Sequence, residues 1–130
     1  MLVKKIKFFD YNGEQREEEF LFNLNKAEIL NMNLGIEGGL EALLKKLTQT
    51  QDVPKAAELF KKIVLASYGE KSADGRRFIK SQELRDNFEQ TEAFSELIIW
   101  LYSSVDNASA FMNAIVPGEE ADKPKMVVME

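Results

Sequence analysis

Apolar and polar positions alternate along the first twenty-four residues, and the period then changes to a helical one. Leu2, Ile6 and Phe8 share one face of a first strand, interrupted by Lys4, while Phe20, Phe22 and Leu24 share one face of a second. Asn12-Gly13 lies between them as a turn signal. Both apolar sets occupy even positions, so they face each other only if paired residue numbers have an even sum. A two-residue Asn-Gly loop would pair Tyr11 with Glu14, an odd sum, and set Ile6 against Glu19. The parity therefore predicts a three-residue loop or a bulge with Gly13 at positive φ. Lys5 and Lys7 then lie on the opposite face near Glu17 and Glu19.

From Asn25 onward the pattern predicts five or six helices. Asn25-Lys26-Ala27-Glu28 has the spacing of a capping box and opens a short helix to about Met32. Gly35, Gly38 and Gly39 interrupt the chain, and Leu40, Leu43, Leu44 and Leu47 form the stripe of a second helix. Asp52-Val53-Pro54 starts a third, carrying Ala56, Leu59, Phe60, Ile63, Val64 and Tyr68. Tyr68 to Ser81 reads as a polar, turn-rich connector. Ser81 caps a helix with Leu84 and Phe88, and Thr91 begins another with Phe94, Leu97, Ile98, Leu101 and Val105 on one face. A break at Asp106 or Asn107 precedes Ala108, Phe111, Met112 and Ile115, and Pro117-Gly118 closes the ordered part. The expected fold is α+β: a hairpin or small antiparallel sheet over 1–24 on a helical body over 25–117, one globular domain, with 118–130 as a flexible acidic tail.

Composition narrows the chemistry. The 130 residues suit one modest core. Histidine and cysteine are both absent, which removes imidazole catalysis, thiol nucleophiles, disulfides and the usual zinc or haem ligands. No cofactor or metal site is expected, and an enzyme would have to run on carboxylates alone. No apolar run is long enough to cross a bilayer, and the N-terminus has no signal-peptide core. A net charge of −5 disfavours broad nucleic-acid binding. Gly69-Glu70-Lys71-Ser72 lacks the upstream glycine of a phosphate loop, and Asp10-Tyr11-Asn12-Gly13 lacks the remaining ligands of a calcium loop.

Two places attract a binding interpretation. Arg76, Arg77 and Lys80, around Phe78 and helped by Lys71, suit an acidic surface or a phosphate, or they are a solvated loop paired with nearby acids. Ile99, Trp100 and Tyr102 make the helix after Thr91 apolar nearly all the way round, so it is either central to the core or has a second face against another molecule.

The chain resembles the small tail assembly chaperones of long-tailed, siphovirus-like phages and prophages. The residues that carry the resemblance are the hairpin with Asn12-Gly13 and Phe20-Leu21-Phe22-Asn23-Leu24, the Gly38-Gly39-Leu40 helix start, Ser67 to Ser72 with Asp74 to Phe78, and Phe88 to Leu97. The resemblance implies a non-enzymatic binding protein of the host cytoplasm, absent from the mature virion. It implies that the protein coats the tape measure protein, recruits major tail protein subunits and associates with itself. A rival class is a small nucleic-acid-binding or regulatory protein using the basic loop 71–80; a carboxylate enzyme is a third.

Overall fold

A computed structural model of the protein describes residues 1–35, 53–116 and 125–128. Strands β1 (Leu2–Phe9) and β2 (Gln15–Phe22) form the antiparallel hairpin. Helix α1 (Lys26–Gly35) follows, then α2 (Val53–Ser67), β3 (Tyr68–Lys71), β4 (Phe78–Ile79), α3 (Gln82–Glu89), α4 (Glu92–Ser103), α5 (Val105–Ile115) and β5 (Lys125–Val128). The strands make one sheet in the order β4-β3-β2-β1-β5, antiparallel except where β5 runs parallel to β1. The architecture is α+β, with five helices among the described residues.

The hairpin obeys the parity argument. Its register runs from Leu2↔Phe22 to Phe9↔Gln15, every pair summing to an even number. Asp10 N–H donates to the Glu14 carbonyl at 2.9 Å and Gly13 N–H to the Asp10 carbonyl at 3.0 Å, leaving a three-residue loop with Gly13 at φ 79°. Asp10 holds that loop together. Its Oδ1 accepts the N–H groups of Asn12 and Glu14, and its Oδ2 accepts Arg16 Nε at 2.6 Å. The Arg16 hydrogen bond, with those backbone donors, keeps the Asp10 carboxyl below the usual aspartate range. On the outer face Lys5 and Glu17 form an exposed ion pair at 3.7 Å.

The even face of the sheet carries the core. Leu2, Ile6, Phe8, Phe20 and Phe22 are buried there, and α4 and α5 lie against β1. Helix α4 supplies Ala93, Leu97 and Leu101, α5 supplies Phe111, Met112 and Ile115, and α2 supplies Phe60, Ile63 and Val64. Aromatic rings join the sheet to α3 and α5: Tyr68 stacks on Phe88 at 4.3 Å, and Phe22 meets Phe111 edge-on at 5.4 Å. Backbone bonds lock the exit of β2, since Asn23 N–H donates to the Ser67 carbonyl and Leu24 N–H to the Ile115 carbonyl.

Several helix starts match the sequence signals. Glu28 N–H donates to Asn25 Oδ1 at 2.8 Å while Asn25 N–H donates to Glu28 Oε1 at 3.0 Å, a reciprocal capping box. Ser81 caps α3 and Thr91 caps α4. The α4–α5 break falls at Ser104, two residues before the expected Asp106, because the Ser104 hydroxyl accepts the Asn107 N–H and caps α5. The predicted helix over Leu40 to Leu47, the cap at Asp52 and the expected end of the ordered part at Pro117-Gly118 lie outside the described residues.

Two expectations need correction. The stretch from Tyr68 to Ser81 is more than a turn-rich connector: it contains the β3–β4 hairpin, and Tyr68 opens β3 after α2 ends at Ser67. Only Glu70↔Ile79 and Lys71↔Phe78 pair there, too few residues for an alternating pattern to show. A Cβ on Gly69 would lie 2.6 Å from the Ile79 carbonyl oxygen and 2.8 Å from Phe78 Cε2, so the strands meet at that spacing only with glycine. Lys125–Val128 belonged to the expected flexible tail over 118–130, but they form β5, with Leu2↔Lys125 through Lys5↔Val128 as partners. Pairing with β1, at the far end of the sequence, leaves no local signal.

Candidate functional site

Helix α4 owes its two apolar surfaces to two overlapping patterns. Ala93, Leu97 and Leu101, spaced by four, turn inward and are buried. Ile99 and Tyr102, spaced by three, turn outward: Ile99 is 62% exposed and Tyr102 38%. Val105, at the start of α5, is 56% exposed. The sequence pattern placed Val105 with the buried stripe; the extended backbone at Ser104 breaks the period and turns it to the surface. Tyr102 also meets Phe60 of α2 edge-on at 5.8 Å. Three apolar side chains from two consecutive helices thus face outward next to a well-packed interior.

Trp100 occupies neither extreme. It is partly buried against the core, and the Nζ of Lys4 lies 3.3 Å from its ring centroid. Lys4 is itself 0% exposed, and its ammonium has no hydrogen-bond partner. Burial pushes its pKa down to about 8. The indole face is therefore the Lys4 cation's main compensation. The Trp100 carbonyl accepts Ser103 Oγ at 2.7 Å and Asn107 Nδ2 at 2.9 Å, tying the end of α4 to the first turn of α5. The Lys4–Trp100 pairing had a faint signal in the sequence: a lysine in the phase of the buried face, in a chain with one tryptophan.

The basic stretch divides. Arg76 and Arg77 are exposed in the β3–β4 turn, where Gly75 has φ 74° and Asp74 Oδ1 accepts both Ser72 Oγ and the Arg76 N–H. The Ser72 hydroxyl, followed by that N–H, lowers the Asp74 carboxyl below its ordinary value. Phe78 is half-buried on β4 over Gly69. Lys80 turns inward: its Nζ donates to Glu28 Oε2 at 2.6 Å and to the Asn23 carbonyl at 2.7 Å, fastening α1 to the end of β2. Burial lowers the Lys80 pKa, and Glu28 opposes the shift. The accessible positive charge of this surface is consequently that of Lys71, Arg76 and Arg77, on the β3–β4 hairpin at the edge of the sheet, whereas Ile99 and Tyr102 sit on the helix that covers β1.

Among the described residues no group of three or more acidic side chains is placed to hold a metal ion, and no helix is long and apolar enough to cross a membrane. No curated protein and no solved structure matches the chain. A family model described as phage tail assembly chaperone matches residues 1–125, nearly the whole sequence, including the hairpin, every described helix and the first residue of β5. The protein belongs to the phage tail assembly chaperone family.

Proposed function

We propose that the protein is a non-enzymatic holdase that binds the tape measure protein during tail assembly and keeps its apolar helical surface soluble. The observation that carries this reading is the outward apolar surface of Ile99, Tyr102 and Val105 on α4 and α5, in a family of tail assembly factors. An amphipathic helix laid on that surface would bury its stripe at i, i+3, i+4 and i+7. Trp100, fixed from beneath by Lys4, gives the surface a rigid aromatic base. The exposed Arg76 and Arg77, with Phe78 beside them and Lys80 holding α1 in place, form a second contact suited to an acidic patch on a major tail protein subunit or on another copy of the chaperone. In this reading the protein self-associates along its elongated partner, works in the host cytoplasm and leaves before the virion is complete.

Co-expression with the tape measure protein of the same phage tests the proposal. The tape measure protein should be soluble and co-purify with the wild-type chaperone, and precipitate with an Ile99→Ser/Tyr102→Ser variant that retains the wild-type circular dichroism spectrum. Equal solubility in the absence of the chaperone, with no complex on gel filtration, would refute it.

A further inference from the structure

The surface around Ile99 and Tyr102 is set in a stretch of one sign of charge. From Asp86 to Asp122 the sequence contains no lysine and no arginine. On α4, Glu92 and Glu96 are exposed, and Glu96 lies three residues before Ile99, which places the two side by side on the helix surface. On α5, exposed Asp106 directly follows exposed Val105. The neighbouring helix α2 presents Lys61 and Lys62 to solvent, but the Lys61 ammonium is paired with Glu89 at 2.7 Å. An apolar patch with carboxylates along its own two helices favours one kind of occupant.

We infer that the α4–α5 surface selects a basic amphipathic helix, one whose apolar stripe covers Ile99, Tyr102 and Val105 while flanking lysines or arginines meet Glu92, Glu96 and Asp106. The inference rests on the reading of this surface as the docking face, and adds the charge of what docks. Apolar contact gives the helix its affinity without reading its sequence, since any greasy stripe fits. The carboxylates discriminate: they attract a basic flank over the ~8–10 Å screening length of ordinary salt and repel an acidic one. A positive flank also speeds encounter, and a chaperone that relies on charge for part of its grip releases its partner readily when a competitor supplies the same charges.

Anisotropy titrations of the full-length protein against two synthetic helical peptides test this directly. Both carry the same leucine stripe at i, i+3, i+4 and i+7, one flanked by lysines and the other by glutamates. The lysine peptide should bind roughly tenfold more tightly at low salt, the sum of a few exposed attractions against as many repulsions. That preference should shrink at high salt and fall in the Glu92→Gln/Glu96→Lys variant, whereas Ile99→Ser should weaken both peptides alike. Equal binding of the two peptides, a preference untouched by the charge variant, or binding of neither would overturn the inference. In each of those cases the co-expression result decides separately whether the tape measure reading stands.

Discussion

Lys4 has exchanged water for the face of an indole, and the exchange is costly. Removing an ammonium from solvent costs several kcal/mol even after the protein relaxes, and a desolvated cation–π contact returns about 2 kcal/mol. The remainder is a standing penalty at the joint between β1 and α4. Lys4→Met keeps the length and apolar stem of the side chain and removes the charge, so it should raise the melting temperature at pH 7. The pH dependence follows from the same cause. The folded protein holds the Lys4 proton less tightly than the unfolded chain, with a pKa of about 8 against the ordinary 10.5. Unfolding therefore takes up a proton between those values, and this contribution makes the wild type more stable as pH rises through that window. Melting curves of the two proteins should differ most below pH 8 and converge toward 10.5, over a range on the order of 3 kcal/mol. A gap independent of pH would show that Lys4 is solvated. The sequence displayed this residue as an interruption in an alternating strand, and the interruption is real chemistry: position 4 is inside with its neighbours at 2, 6 and 8.

Elements defined by contacts between near neighbours were legible. The capping box at Asn25 and Glu28, the caps at Ser81 and Thr91, and the parity of the first hairpin each depend on residues a few positions apart, where side-chain chemistry and backbone geometry determine one another. The second hairpin was not legible, because a ladder of two pairs, Glu70↔Ile79 and Lys71↔Phe78, is too short to show an alternating pattern. What fixes it is close approach at Gly69, a property of the backbone that composition does not advertise. Gly69→Ala should accordingly destabilise the protein by about 1–3 kcal/mol, as overpacking does, since the nearest obstacle is the Ile79 carbonyl and cannot swing aside as a side chain could. Urea denaturation checks the value. An unchanged midpoint would mean that β4 can retreat without loss. The outward half of the candidate site was legible as an excess of apolar residues after Thr91, but Val105 was assigned to the wrong side because Ser104 interrupts the helix sooner than the Asp106-Asn107 signal suggests.

Across the whole molecule, the sheet joins segments from the two ends of the sequence. Strand β5 runs beside β1 in parallel, covering an edge that the hairpin alone would leave open. Periodicity could not reveal this, because a strand of four residues has no period of its own and its partner lies more than a hundred positions away. Truncation before Lys125 should leave the hairpin folded and speed hydrogen exchange at alternate amides of Leu2 to Lys5, which lose their cross-strand acceptors; exchange rates identical to those of the full chain would show that β5 does not cover the edge. The direction of the pair carries a mechanical meaning. Traction applied backward on β1 and forward on β5 slides the two strands along each other, so all the bonds of that ladder share the load at once instead of parting in succession like a zip. A short ribbon thereby becomes a clasp, strongest along the line of its own two strands.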